Sequence, residues 1–543
     1  MRDEEKDQRV RPGWPRLALG ALSGVLAGFA SLAVAELVAA AVRPQSSPVV
    51  AVGEASIDAT PAAVKDWAIS RFGTDDKLVL QLGILVVLAV LALVLGALAV
   101  RFQRVGAAGV VLLGAVGAAA AVSRPDSSSL TDALPSVVGA VAGALLLYKL
   151  VGRLAAVRRS SASTSDSATE EAGDGLPASE GWDRRGFVLA TASAAAASAA
   201  VGAVGRSLNA SRGRDAMASR QRVVLPSPGS PAQPVPKRAV LRVPGISSFV
   251  TPHSHFYRVD TALVVPKVDA TAWRLRIHGK GVLRPGVYSF DDLLRRELIE
   301  RDITLTCVSN EVGGPYAGNA RWIGVRLADL LAECGVKPPS QGGAADQLVS
   351  RSVDGMTIGS PVEDVMDGRD AMLALGMNGE PLPFDHGFPV RMVVPGLYGF
   401  ASACKWIEDI ELTTFDSYDP YWVKRGWARR APVKTASRID TPKPFARPKA
   451  GTVMVAGVAW AQHRGVDKVE IRVDDGPWLE ADLAAEDTRD TWRQWSLAWP
   501  ATKGGHTLTV RATDRTGAVQ TDKRTRTIPD GASGWHSVVV TVD

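Results

Sequence analysis

The sequence is poor in the residues that hold redox centres. Only three cysteines, Cys307, Cys334 and Cys404, occur in 543 residues. They are not clustered, so an iron–sulfur centre, which needs several thiolates, is not expected. Histidine is equally scarce, with seven in all and none before His253. The apolar N-terminal region therefore lacks the imidazoles that would ligate a buried haem. Runs of Lys and Arg interleaved with aromatics are also missing. The net charge of +6 is modest and mixed along the chain, so nucleic acid is not an expected partner. Whatever electrons this chain handles must pass through another kind of centre and on to a separate partner.

What the chain does have is apolar length. Leu17–Val42, Leu78–Val100, Val105–Val122, Leu134–Val151 and Phe187–Val204 are apolar all round rather than on one face. That pattern reads as bilayer spans rather than as helices of a soluble bundle. Arg2, Lys6, Arg9, Arg11 and Arg16 precede the first stretch, Arg101 and Arg104 follow the second, and Arg153, Arg158 and Arg159 follow the fourth. The positive-inside rule puts those segments and the N-terminus in the cytoplasm. Residues 1–159 thus read as a four-span membrane region. Residues 160–183, rich in Ser, Ala, Thr, Asp and Glu, read as a cytoplasmic linker. The fifth span, 184–206, is led by Trp182-Asp183-Arg184-Arg185-Gly186-Phe187. It resembles a twin-arginine signal anchor, although Asp183 stands where Ser or Thr is usual. Such a signal implies that everything after it is exported already folded.

Residues 207–245, rich in Pro, Ser and Arg, read as an extracytoplasmic stalk. Beyond it, Trp273–His278 and Ile303–Cys307 alternate like strands, whereas Phe290–Arg301 and Val325–Cys334 carry apolar residues at helical spacing. An α+β domain over 246–440 follows from that mixture. In the tail, 441–543, the alternating segments Thr452–Ala456, Val469–Val473, His506–Arg511 and Ser537–Val542 point to an all-β sandwich. Cys307 stands at a strand end before the glycine-bearing loop Val308–Pro315. A thiolate on so rigid a mount suits a soft, high-valent metal. Cys334 and Cys404 read as structural, a disulfide between two of the three remaining open.

The segment Thr304-Leu-Thr-Cys-Val-Ser-Asn310, continued by Gly318-Asn-Ala-Arg-Trp-Ile-Gly-Val-Arg-Leu327, resembles the molybdenum-ligand segment of the sulfite-oxidase family. Met377-Asn-Gly-Glu-Pro-Leu-Pro-Phe-Asp-His-Gly-Phe-Pro-Val-Arg391 and Lys405-Trp406 look like its pterin-binding segment. Phe256-Tyr-Arg-Val-Asp260 resembles the stretch that brings an Arg to the cofactor edge, and Trp492-Arg-Gln-Trp495 one that returns an Arg to the active-site mouth.

The resemblance covers residues 250–543. It implies a molybdenum–molybdopterin cofactor with Cys307 as the metal's protein ligand. Tyr257, Arg258, Asn310, Asn378, His386, Arg391 and Lys405 are its implied cofactor-binding residues, with Cys307, Arg258 and Arg493 catalytic. It further implies an immunoglobulin-like, dimerisation-type sandwich, two-electron oxo transfer on a small sulfur-containing substrate, and a separate cytochrome or quinone-linked redox partner, with neither haem nor iron–sulfur in the chain itself.

Two departures bear on substrate. Glu311 and Val312 stand where the family has a basic pair after the cysteine, and Ala374-Leu375-Gly376 stands where it has an active-site tyrosine. An anion would lose part of its cradle. That keeps a sulfoxide reductase, including one for oxidised methionine, as a second reading. A non-enzymatic, membrane-tethered binding module is a third.

Overall fold

The computed structural model describes residues 14–60, 64, 71–72, 76–124, 127, 129–155 and 184–543. The linker expected over 160–183 lies outside them, as do Arg2, Lys6, Arg9, Arg11, Trp182 and Asp183. The chain divides into two units, residues 1–213 with 261–264, and residues 214–260 with 265–543.

The first unit is helical: α1 Trp14–Ala41, α2 Pro48–Ala59, α3 Asp76–Arg101, α4 Gln103–Val122, α5 Leu134–Ala155 and most of α6, Arg184–Arg222. Five of these are long and apolar enough to cross a membrane, as their leucine-, valine- and alanine-rich sequences dictate. The short helix α2, which follows α1, has no counterpart in the sequence reading. Gly24 and Gly96 face each other so closely that a Cβ on either would meet the other's backbone at 2.7–2.9 Å. Small residues of this kind let α1 and α3 pack backbone to backbone. Glu36, near the end of α1, accepts a hydrogen bond from the Ser47 hydroxyl.

The stalk expectation needs correction. Helix α6 does not stop at residue 206 but continues to Arg222. The stretch 206–222 is rich in Arg, Ala and Ser and contains no proline, so it sustains a helix without an apolar stripe. Pro226 and Pro228 follow its end. Within the second unit, Arg220 donates to the carbonyls of Pro381 and Leu382, 2.7 Å each. Val223 and Leu225 pack on the core, and Ser230 bridges to Ile299. Residues 214–245 thus belong to the globular unit.

The second unit begins with β1 Arg274–Gly279, β2 Gly286–Ser289, β3 Leu298–Thr306, β4 Ala317–Arg326, β5 Gln347–Ser352, β6 Thr357–Pro361, β7 Met372–Met377, β8 Glu380–Pro381, β9 Arg391–Val393 and β10 Ile407–Thr413. They form two mixed or antiparallel sheets, β2-β1-β10-β5-β6 and β3-β4-β7-β8 with β9 on β7. One apolar core, including Leu275, Phe290, Ile303, Trp322 and Phe388, is shared between them. The helix expected over Phe290–Arg301 is only Phe290–Leu294, started by a reciprocal cap between Ser289 and Asp292. Leu298–Arg301 instead pair with β4. Sheet pairing overrides local helical spacing there. The other expected helix is Leu327–Glu333, Val325 lying in β4.

The tail folds as β11 Ala436–Thr441, β12 Gly451–Trp460, β13 Val466–Val473, β14 Trp478–Glu480, β15 Asp482–Leu483, β16 Arg493–Ala501, β17 Gly504–Asp514 and β18 His536–Val542. Two four-stranded sheets, β11-β12-β16-β15 and β14-β13-β17-β18, enclose a second core around Val455, Trp495, Ile471, Val510 and Val540. Burial alternates along β18, where Val538, Val540 and Val542 turn inward, whereas Val455–Trp460 of β12 are buried without a break. All three cysteines are free and buried, so no disulfide staples this architecture.

Candidate active site: the Cys307 strand end and its basic cradle

Strand β3 carries Cys307 to its end and holds it by backbone. The Cys307 N–H donates to the Tyr316 carbonyl at 2.9 Å, and its own carbonyl accepts from Asn310 N–H at 3.0 Å. The Asn310 carboxamide oxygen accepts from Tyr316 N–H at 2.8 Å, which closes the loop on itself.

The strand is braced from the tail domain. Thr304 N–H donates to the Asp490 carbonyl at 2.9 Å, and the Thr304 hydroxyl accepts from Trp492 N–H at 2.7 Å. Gln462 donates to the Thr304 carbonyl at 2.9 Å and the Thr306 hydroxyl at 3.1 Å. Burial pushes the Cys307 thiol up from its ordinary range, while hydrogen bonds from Ser309 and the charge of Lys405 pull it down. The charge of Lys405 and the donors of Ser309 are what a buried thiolate requires.

Of the residues singled out from the sequence, Tyr257, Asn310 and Lys405 interact with Cys307, and Arg391 adjoins Tyr257. Tyr257 is raised well above the usual phenol range by burial and by Cys307, and lowered in part by Arg391. It therefore stays a neutral O–H donor. Arg391, in β9, is 5% exposed and brought down to about 10 by burial. Its guanidinium lies over the Trp322 ring, 5.0 Å from the centroid, and donates to the His386 and Ala403 carbonyls. Its Nε has no partner among the described residues. A buried orphaned donor on a cation asks for an anionic oxygen.

His386 sits edge-on to Phe256, 5.5 Å between ring centroids. Its Nε2 lies 3.2 Å from the His253 carbonyl. A carbonyl only accepts, so Nε2 carries the proton and Nδ1 is left as an acceptor.

Lys405 Nζ pairs with Asp260 at 2.8 Å and lies 4.6 Å from the Trp406 ring centroid. Arg258 reaches the same Asp260 at 3.2 Å and Asp385 at 3.6 Å. Gly387, at φ +108°, is the hinge of the group: a Cβ there would sit 3.0–3.1 Å from Arg391 and Lys405. Only glycine combines that backbone angle with so close an approach.

Two expected residues stand differently. The Asn378 amide is engaged with backbone at both ends, accepting from Arg321 N–H and donating to the Thr251 carbonyl, 3.0 Å each. It shapes the turn after β7 and leaves the rest of the cradle to others. Arg493 is not brought to Cys307. It donates to the carbonyls of Ala484 and Val466 within the sandwich, and its charged neighbours are Glu486, Arg515 and Asp467.

The neighbouring Trp492 is the residue that crosses, through Thr304 and through its indole N–H to the Phe249 carbonyl at 2.9 Å. Sequence reasoning missed Ser309, Tyr316 and Trp322. Ser309 and Trp322 stand inside the quoted motifs, but the contact of Trp322 with Arg391 joins β4 to β9 and leaves no local signal in the sequence.

A family model described as the oxidoreductase molybdopterin binding domain matches residues 262–422. The class is therefore that of molybdopterin-binding oxidoreductases, and the cradle fits such a group through the unpartnered Arg391 Nε and the cations beside it. Rat mitochondrial sulfite oxidase is 30% identical over 343 residues, 54% of this chain and 62% of the relative. Bacillus subtilis (strain 168) uncharacterized oxidoreductase YuiH is 33% identical over 162 residues, 30% of this chain and 75% of the relative. Among solved structures, the sulfane dehydrogenase SoxCD from Paracoccus pantotrophus aligns at 25% identity and TM-score 0.46, covering 54% of this chain and 83% of that one. The chain belongs to the sulfite-oxidase-type molybdopterin oxidoreductases. It spans 62% of the length of the rat sulfite oxidase it matches.

The buried histidines make stability pH-dependent. Burial lowers both His386 and His536 from 6.5 to about 4. His536 Nδ1 accepts from Ile439 N–H at 3.0 Å, which requires the neutral ring. Because the unfolded chain binds these protons more readily, stability is complete above the unfolded value near 6.5 and falls as pH drops towards 4. Melting temperatures of wild type and His536→Gln across that range are expected to converge at the acid end. Parallel curves would show that His536 does not titrate with unfolding.

Proposed function

We propose that this chain is a membrane-anchored molybdopterin-dependent oxidoreductase that performs two-electron oxo transfer on a small sulfur-containing substrate outside the cytoplasm. The observation that carries this reading is the buried Cys307 sulfur at a braced strand end, beside a cradle that includes a buried arginine with an orphaned Nε.

Molybdenum held by one pterin dithiolene supplies the oxo-transfer chemistry when bound. Cys307 is its protein ligand. Arg391, Lys405 and Arg258 hold the anionic part of the cofactor, with His386 and Asn310 ordering its edge. Tyr257 keeps its proton and is a donor at the reacting side. The apolar helices anchor the enzyme, N-terminus in the cytoplasm. The tail sandwich is immunoglobulin-like and supports a homodimer, and electrons leave to or arrive from a separate cytochrome or quinone-linked protein.

Purified full-length chain is expected to carry molybdenum and to turn over sulfite or a sulfoxide. Protein that expresses folded without molybdenum, and acts on neither, overturns the proposal.

A sulfoxide reductase is favoured as the second reading by one observation: Leu375 is fully buried in β7 and Val312 is uncharged, so neither supplies a charge or a phenol for an anion.

Export supplies a further test. Arg184→Lys with Arg185→Lys keeps the positive charge, so a plain positive-inside anchor would be unaffected. A twin-arginine translocon reads the arginines themselves, and surface delivery of the double variant is expected to stop. Normal delivery, followed by protease accessibility in whole cells, would leave only an ordinary anchor.

A further inference from the structure

The helical unit contains a cavity of about 250 Å³ that the chemistry above does not use. Leu32 of α1, Ile84 and Leu88 of α3, Leu113 of α4 and Leu147 of α5 give it an apolar wall. Of its lining residues only Ser31 and Ser136 have polar side chains. Ser136, in the first turn of α5, is 3% exposed, and its hydroxyl has no hydrogen-bond partner among the described residues. Gly117 of α4 gives that hydroxyl room: a Cβ there would lie 2.9 Å from Ser136 Oγ. A buried hydroxyl in hydrocarbon surroundings destabilises its fold unless an acceptor meets it. An apolar chamber with a buried, unmatched donor is the usual design of a site for a lipophilic ligand bearing a polar head.

We propose that this chamber binds a lipid-soluble quinone, a ring carbonyl accepting from Ser136 Oγ and the ring with its first side-chain carbons filling the leucine-lined space. The proposal rests on the reading that these helices span a bilayer, which is where such a ligand is dissolved. A phospholipid acyl chain would fill the same volume but leave Ser136 unmatched. A quinone also carries two electrons and two protons, the electron count of oxygen transfer at sulfur. With no histidine before His253, the helical unit has no imidazole to offer a haem instead.

The test uses full-length protein in detergent and equilibrium dialysis against decylubiquinone, with decylbenzene, which has the chain but no carbonyl, as control. Saturable binding of one decylubiquinone per chain is expected, with decylbenzene bound far more weakly. Ser136→Ala should weaken decylubiquinone by about fivefold to tenfold and leave decylbenzene unchanged. Ala89→Phe, which places a ring in the chamber from α3, should abolish saturable binding while circular dichroism keeps its helical signal. Equal binding of both probes, or undiminished decylubiquinone binding in Ser136→Ala, overturns the site and favours an acyl chain. Carbonate extraction of membranes separates the two readings. Carbonate-resistant protein without saturable decylubiquinone binding defeats the quinone site alone, whereas protein released by carbonate defeats the spanning reading and the site with it.

Discussion

Replacing Cys307 by serine is expected to abolish turnover while leaving most of the pterin bound. Serine keeps the shape, and the two backbone hydrogen bonds that fix position 307, to Tyr316 and from Asn310, are made by main chain and survive. What is lost is the soft anionic sulfur, for which a buried serine hydroxyl is a poor substitute. The cradle of Arg391, Lys405 and His386 does not pass through residue 307, so cofactor retention and metal ligation separate. Loss of an outer-shell partner typically costs about 10–100-fold; removal of the ligand itself should exceed about 100-fold on the same scale. The measurements are turnover of sulfite and of a sulfoxide, pterin and molybdenum stoichiometry, and the metal's absorption spectrum. Wild-type turnover in Cys307→Ser would remove the metal assignment.

Substrate charge gives the second large effect. If the position of Val312 is where an anion would be met, wild-type sulfite turnover should show a high KM that rises steeply with salt. Exposed charges more than about 10 Å away are largely screened at 0.1 M ionic strength. The other cations are committed elsewhere: Lys405 and Arg258 share Asp260, with Asp385 also beside Arg258, Arg391 faces the proposed cofactor, and Arg493 is held on sandwich carbonyls. Val312→Arg should lower the sulfite KM by about tenfold with kcat little changed, because the added charge attracts the anion in ground and transition states alike. A neutral sulfoxide should respond to neither salt nor the substitution. Tight, salt-insensitive sulfite turnover by the wild type would show that another part of the chain forms the anion pocket and would return plain sulfite oxidation to first place.

Much of this was legible in the sequence because the strongest signals are periodic or local. The five apolar stretches became long apolar helices, and the alternation at Ile303–Cys307 and in the tail became β3 and the sandwich strands. Where the reading failed, a longer-range partner decided. Residues 298–301 look helical in isolation but find β4. Residues 206–222 have no apolar stripe, so their helix is invisible to a search for amphipathic period. The cradle was found through resemblance, yet resemblance places a segment without saying which of its side chains turns inward. At Trp492–Trp495 the contact with β3 is made by Trp492, and Arg493, one residue on, turns to the sandwich's own carbonyls.

That contact changes what the boundary at residue 440 means. Thr304, three residues before the metal-ligand candidate, has its amide, carbonyl and hydroxyl all tied to Asp490, Gln462 and Trp492 of the sandwich. A cut after residue 440 would leave the Thr304 amide and carbonyl without these partners and its hydroxyl with Asn319 alone, in the strand that aims Cys307. The two folds are thus separable as shapes but not as cooperative units: the tail acts as a splint, and the precision of the sulfur's position is a property of both halves melting together.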